Sequence, residues 1–161
     1  QTGKRQSLQV HIPAGIDTGK SIRLKGKGMP GTGSGEAGDL LLNITVTAKP
    51  GWERKEMDVY STVRIPFTTA VFGGEALVST LYGNVLCKIA AGTQSGTKIK
   101  LKGKGIVSMK NPSIHGNQYV TVQIDVPNHL TPEAEQKLRE FEHACGLNKN
   151  SQGGPNGRSA A

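Results

Sequence analysis

Few residues of this 161-residue chain have the types and spacing that catalysis or metal binding requires. The four histidines are scattered and lack the spacing of metal ligands. Cys87 and Cys145 lie far apart, and neither belongs to a Cys-x-x-Cys pair, which argues against a structural zinc site. The chain has no Gly-x-Ser-x-Gly elbow, His-Glu-x-x-His or P-loop, and its 12 carboxylates form no evident acid–base couple. The sequence therefore predicts a binding module rather than an enzyme, with no metal and no cofactor.

Two short glycine-rich segments are the remaining candidates for ligand chemistry. Gly26-Lys27-Gly28 and Gly103-Lys104-Gly105 can each present backbone N–H groups to an anion. Neither segment precedes a predicted helix, and the two occupy matching places in an internal repeat. These features favour plain turns over a phosphate-binding loop.

The charge balance is basic, with 20 Lys and Arg against 12 Asp and Glu, a formal net charge of +8 and a pI of about 9.7. Every second residue from Lys98 to Lys104 is a lysine, which is typical of a strand with one charged face. Such a face is either solvated or a patch for phosphates or acidic peptide tails. Stacking aromatics interleaved with basic residues are absent, which weakens the hypothesis of single-strand nucleic-acid binding.

Composition also bears on location. No apolar run approaches the ~20 residues of a membrane span, and no signal peptide is visible. Two lone thiols suit a reducing compartment, so we expect a cytoplasmic protein, with a mitochondrial or other organelle matrix as the alternative. The first residue is Gln1 rather than Met, which indicates a fragment or a processed product.

An internal repeat organises the chain. The segment Gly15–Gly28 matches Gly92–Gly105 at a constant offset of 77, with eight of fourteen positions identical. After one inserted residue, Gly38-Asp39 falls on Gly116-Asn117. We therefore expect two copies of one small fold in tandem.

Both copies have the alternation of β-strands. Leu8, Val10 and Ile12 alternate with polar residues, as do Ile22 and Leu24, and the same period continues from Leu40 to Val46. The strands expected in the second half are 60–65, 76–78, 85–89, 98–101 and 118–126. The pattern predicts an all-β fold of two small sandwich or barrel-like subdomains, followed by a short C-terminal helix. Cys87 falls on Val10 in the repeat and is expected to be a buried structural thiol.

The C-terminal helix has clear boundaries. Thr131 is a good N-cap, Pro132 suits the first turn and Gly146 can end the helix. Its apolar stripe consists of Ala134, Leu138, Phe141 and Cys145. The stripe either packs on the same chain or docks on a second copy. Residues 148–161 are predicted to be a disordered tail, and the segment Phe67–Gly74 a short helical turn or tight connection.

Trp52 is the most informative candidate for binding. It follows Lys49-Pro50-Gly51 and precedes four charged residues, a context that argues against a strand core. It is either a lid over the end of the first repeat or the lining of a groove for an apolar side chain of a partner.

From Leu8 to about Phe141 the chain resembles the C-terminal substrate-binding region of DnaJ-family co-chaperones. The segments that carry this resemblance are Val10–Gly19 with Ile22-Arg-Leu, Gly38-Asp39-Leu40, Phe72–Glu75, Thr80–Gly83, Gly92–Gly96 and Gly103–Gly105. Lys49–Arg54 with Asp58-Val-Tyr60 is similar to the family's Pro-x-Phe-x-Arg-x-Gly-x-Asp-Leu linker. The resemblance divides the chain into C-terminal domain I without its first strands (1–50), domain II (51–129), a dimerisation helix (130–147) and the tail (148–161).

The resemblance implies a function. Such domains bind extended apolar segments of unfolded clients and deliver them to a 70-kDa heat-shock chaperone, through β-augmentation plus an apolar pocket. It assigns Trp52 to the pocket, with Leu40 and Leu42 beside it. It assigns Leu138 and Phe141 to a homodimer interface. Lys25 and Lys27 are candidates for the partner chaperone's acidic tail, or are simply solvated.

The chain also departs from the family. It has no J domain, no His-Pro-Asp tripeptide and no Cys-rich zinc insert, so we expect no stimulation of the partner's ATPase by the family's usual route. The zinc-containing and zinc-free subclasses both remain open, as does the completeness of the peptide pocket. Two alternatives remain: a basic β-sandwich that binds nucleic acid, and a purely structural dimerisation module.

Overall fold

The protein is described by a computed structural model, which covers residues 5–147. These residues divide into two compact units, one ending at Asp125 and the other starting at Val126. The strands are β1 (Ser21–Leu24), β2 (Leu40–Asn43), β3 (Glu53–Lys55), β4 (Asp58–Pro66), β5 (Gly74–Thr80), β6 (Gly83–Ile89), β7 (Lys98–Leu101) and β8 (Gln118–Asp125). The helices are α1 (Phe67–Phe72) and α2 (Pro132–Cys145). The all-β prediction with a short C-terminal helix is confirmed. The predicted division at residues 50 and 129 stays a prediction.

Residues 53–125, which contain the second repeat, form a two-layered sandwich. One layer is a four-stranded sheet in the order β3-β4-β8-β7, in which β4 and β8 are parallel and the other pairs antiparallel. The other layer is the hairpin β5-β6. The buried apolar residues between them are Val59, Ile65, Ala70, Ala76, Val78, Cys87, Ile89, Val120 and Val122. Each fully buried valine or isoleucine contributes about 1.5–3 kcal/mol, so this core is the main source of stability in the unit.

The first repeat contributes only a two-stranded antiparallel sheet among the described residues. Ile22 pairs with Leu42 and Leu24 with Leu40, which places these four side chains on one half-buried face. The strand predicted over Leu8–Ile12 is wrong, because the structure has no strand there and Leu8 and Ile12 are exposed. Alternation alone does not make a strand, and no segment of residues 5–147 pairs with this one.

The repeat is reproduced at the level of individual hydrogen bonds. Gly28 N–H donates to the Gly38 carbonyl at 2.7 Å, and Gly105 N–H donates to the Gly116 carbonyl at 2.9 Å. Gly26 N–H donates to the Asp39 carboxylate at 2.9 Å. The matching Gly103 N–H donates to the Asn117 side-chain oxygen at 3.2 Å. The Gly-Lys-Gly segments are therefore turns closed by the chain itself, as their sequence predicts.

The second unit is built around α2. The Thr131 hydroxyl accepts from Ala134 N–H at 3.2 Å, Pro132 is the first helical residue, and Gly146 ends the helix in the left-handed conformation. Arg139 and Glu135 form an ion pair one turn apart, and the hydrogen bond to Glu135 raises the pKa of Arg139. The predicted caps are thus confirmed. No helix within residues 5–147 is long and apolar enough to cross a membrane. The predicted tail, 148–161, lies outside the described residues.

The two cysteines have opposite environments. Cys87 lies on the inner face of β6 and is 7% exposed, which confirms the expected buried thiol, and burial raises its pKa. Cys145 is exposed on α2. Since the thiolate is the reactive form, Cys87 is shielded both sterically and by its protonation state.

We therefore predict that a maleimide labels Cys87 of the native protein at least about 100-fold more slowly than the same residue in denaturant. The measurement is a labelling time course followed by mass spectrometry. In denaturant both thiols should react at similar rates. A rapid phase that persists in a Cys145→Ser variant would contradict the prediction.

Candidate functional site

Trp52 lies in the turn that connects β2 to β3. Trp52 N–H donates to the Lys49 carbonyl at 3.0 Å, and Gly51 supplies the left-handed conformation that closes the turn (φ 78°). The indole is half-buried, with the Lys49 ammonium 5.1 Å from the ring centroid. That distance is within cation–π range, so Lys49 steadies one face of the ring.

The indole forms part of the wall of an open pocket of about 350 Å³. The other apolar residues of the wall are Val46, Ala48, Val59, Leu81 and Ile106. Its polar residues are Asp17, Thr47, Lys49, Glu53 and Arg54. A mostly apolar concavity of this size, with polar groups beside it, is suited to one large apolar side chain with a polar backbone on either side.

Trp52 also borders a shallower depression on the outer face of the four-stranded sheet. Tyr60, Thr62, Lys98 and Thr121 lie around this depression. Tyr60 stacks on Tyr119 of the adjacent strand, with ring centroids 5.3 Å apart. This face is polar and aromatic rather than apolar, which distinguishes it from the pocket.

The leucines predicted beside Trp52 lie elsewhere. Leu40 and Leu42 are half-buried in β2 against Leu24 and Ile22, and neither lines the Trp52 pocket. Val46 lines it instead, four residues beyond Leu42 and in the same period of two. A role for Leu40 and Leu42 in binding stays a prediction.

Among the apolar residues of the pocket wall, only Trp52 was identified from the sequence. Val46 continues the alternation of the preceding strand, so the sequence pattern already indicated which face of the chain its side chain shares. Leu81 belongs to the turn of the β5-β6 hairpin, and Ile106 follows the second glycine turn. No local pattern shows that these two distant residues meet Trp52, because that depends on tertiary packing.

The predicted basic contacts are solvent-exposed. Lys25 and Lys27 flank Gly26 in the first glycine turn, and Lys98 and Lys100 point outward from β7. Lys104 lies beyond the strand, with its ammonium 6.0 Å from the Tyr82 ring centroid. The lysines from 98 to 104 therefore do not all belong to one strand face. Within residues 5–147, no group of three or more His, Cys, Asp or Glu side chains is placed to hold a metal ion.

Glu56 adopts a backbone conformation that favours glycine. It lies in the β3-β4 turn with φ 57°, the left-handed region. It also occupies the glycine position of the Pro-x-Phe-x-Arg-x-Gly-x-Asp-Leu pattern, counting from Pro50 to Val59. A non-glycine residue pays about 1–2 kcal/mol for this conformation.

A family model described as the DnaJ C terminal domain matches residues 1–127. The match covers most of the chain, which therefore belongs to the DnaJ C-terminal domain family, as the resemblance indicated.

Three relatives show how far the similarity extends. A "Chaperone protein DnaJ" of Lachnospira eligens is 41% identical over 140 residues, which is 87% of this chain and 37% of the relative. Proteins of the same name are 43% identical in Clostridium perfringens (89% of this chain, 37% of the relative) and Burkholderia thailandensis (93% and 38%). The chain thus spans less than half the length of these relatives. All three are bacterial, and none supports the organelle-matrix alternative.

We predict that Glu56→Gly raises the free energy of unfolding by about 1 kcal/mol, because glycine adopts this conformation without strain. The measurement is urea-induced unfolding followed by circular dichroism. Lys55→Gly is the matched control, since Lys55 is in an extended strand and should lose stability. Destabilisation by Glu56→Gly would contradict the prediction.

Proposed function

We propose that this chain is the client-binding part of a co-chaperone, which binds extended apolar segments of unfolded proteins and delivers them to a 70-kDa heat-shock chaperone. The observation that carries this proposal is the open apolar pocket around the half-buried Trp52. Membership in the DnaJ C-terminal domain family and the names of the relatives support the same function.

The mode of binding that fits is β-augmentation with a side-chain anchor. In the β1-β2 sheet, each strand has a single partner among the described residues, so each has an open edge. Residues 46–49, which follow β2, form one side of the pocket. A client strand beside this sheet can therefore pair its backbone while one apolar side chain enters the pocket, where burial contributes about 1.5–3 kcal/mol.

We predict that Trp52→Ala weakens binding of a fluorescein-labelled, extended apolar peptide about 10- to 100-fold, because it removes the largest apolar side chain of the pocket wall. The measurement is fluorescence anisotropy. Phe72→Ala is the matched control, since Phe72 is 79% exposed and lies outside the pocket lining. Equal losses in both variants would show that exposed aromatics bind the peptide non-specifically.

Salt dependence separates this function from nucleic-acid binding. The stacked Tyr60 and Tyr119 beside Lys98 and Lys100 are the features that favour the alternative. Binding to phosphates weakens steeply between about 50 and 200 mM salt, whereas an apolar pocket does not. If a single-stranded oligonucleotide binds with a steep salt dependence and the peptide does not bind, the nucleic-acid module is favoured.

We further propose that α2 forms a homodimer. None of its residues is buried, and its stripe carries Leu138 (42% exposed) and Phe141 (38% exposed). Two linked copies raise avidity about 10²- to 10⁴-fold without any new contact to the client. The purely structural alternative corresponds to a dimer that does not bind the peptide.

We predict that Leu138→Glu converts the dimer to a monomer, because it places a charge in an apolar interface. The measurement is sedimentation equilibrium. Gln136→Glu is the matched control, since it adds the same charge on the opposite face of the helix and should remain dimeric. An unchanged mass of the Leu138→Glu variant would exclude this face as the interface.

A further inference from the structure

Arg54 of β3 reaches across to a turn of the first repeat. Its guanidinium donates to the main-chain carbonyls of Ile16 at 2.7 Å and Gly15 at 2.8 Å. Its Nε donates to the Glu56 carbonyl at 2.7 Å and lies 3.5 Å from the Asp17 carboxylate. The side chain is only 22% exposed, so these contacts are largely shielded from water. Three of its nitrogens thus hold main-chain oxygens from two separate parts of the chain.

The same turn is confined on its other side by the second repeat. Gly15 has φ 87°, and a Cβ at this position would lie 2.0 Å from the Val107 carbonyl oxygen. Only glycine therefore fits between Arg54 and Val107. The turn is fixed from both sides, by hydrogen bonds on one and by steric contact on the other.

This turn contributes Asp17 to the lining of the Trp52 pocket, and the adjacent Thr18 hydroxyl accepts from Val46 N–H at 2.8 Å, which joins the turn to the first-repeat wall. Asp17 and Val46 line the pocket from the first repeat. Leu81 of the β5-β6 turn and Ile106, which follows the second glycine turn, line it from the other side. Arg54 lines it as well. The contacts that hold the Gly15–Asp17 turn against the rest of the unit therefore act on one of the two walls.

We propose that Arg54 is a positioning residue that sets the width of the Trp52 pocket by clamping the Gly15–Asp17 turn. The planar guanidinium suits this role, because its N–H groups donate to several carbonyl oxygens in fixed directions at once. A lysine at position 54 retains the charge opposite Asp17 but cannot reproduce this fork. The part of the inference that concerns peptide affinity rests on the proposed function, and the part that concerns pocket geometry does not.

Trp52 makes the pocket directly observable. It is the only tryptophan of the chain, so intrinsic emission and acrylamide quenching report on this site alone. We expect Arg54→Lys and Arg54→Gln to increase the Trp52 quenching constant at least about 2-fold. The same variants should weaken binding of the labelled apolar peptide about 10-fold. Arg139→Gln is the matched control, because Arg139 is 68% exposed, pairs with Glu135 of the same helix and belongs to the other compact unit. It should change neither quantity by more than about 2-fold.

A second variant approaches the turn from its opposite side. Gly15→Ala leaves the guanidinium intact but forces the turn away from Val107, and it should also increase Trp52 quenching. Each variant is first checked for cooperative unfolding. If Arg54→Gln does not fold, Arg54→Lys alone is used to test the positioning role. Wild-type quenching in Arg54→Lys would overturn the positioning role. If the wild type binds no peptide while quenching still rises in Arg54→Lys, the proposed function fails and the positioning role stands.

Discussion

The parallel pairing of β4 with β8 is the contact on which the larger unit depends. Its register runs from Val59 opposite Gln118 to Pro66 opposite Asp125. β3 attaches to the free side of β4, and β7 attaches to the free side of β8. The inner side chains Val120 and Val122 are almost fully buried against the β5-β6 hairpin. In the part of the chain that the structure describes, β3 is a three-residue strand that pairs with β4 alone, so the position of Trp52, directly before it, depends on how β4 is held.

The two repeats show how one local motif serves two tertiary contexts. Leu40 of β2 corresponds to Gln118 of β8, which is fully buried. The Gln118 amide donates to the Ser61 hydroxyl and the Ser79 carbonyl, both at 2.9 Å, and so connects both layers of the sandwich. Its side-chain oxygen has no partner within residues 5–147, which leaves part of its desolvation cost uncompensated. A leucine is sufficient at this position in the first repeat, where the described residues form no second layer.

The sequence predicted features that depend on neighbouring residues. Strand alternation, the glycine turns, the caps of α2 and the unusual context of Trp52 were all visible because each depends on a few consecutive residues. The strand predicted over Leu8–Ile12 was wrong because alternation shows which side chains share a face but not which strand pairs with the segment. Leu81, Ile106 and the contacts of Arg54 were missed for the same reason. Their roles depend on which distant segments meet, and one sequence carries no local record of that.

The order in which the partners of β4 become available has a consequence for synthesis. Val59 and Gln118 are 118 − 59 = 59 residues apart, whereas Leu24 and Leu40 in the first repeat are only 40 − 24 = 16 apart. Contacts of long sequence separation form late, since the intervening loop must be closed first. On a ribosome, the backbone edge of β4 that pairs with β8 stays open until residues 118–125 have been synthesised. During its own synthesis, this module therefore passes through the same exposed, aggregation-prone condition as an unfolded polypeptide.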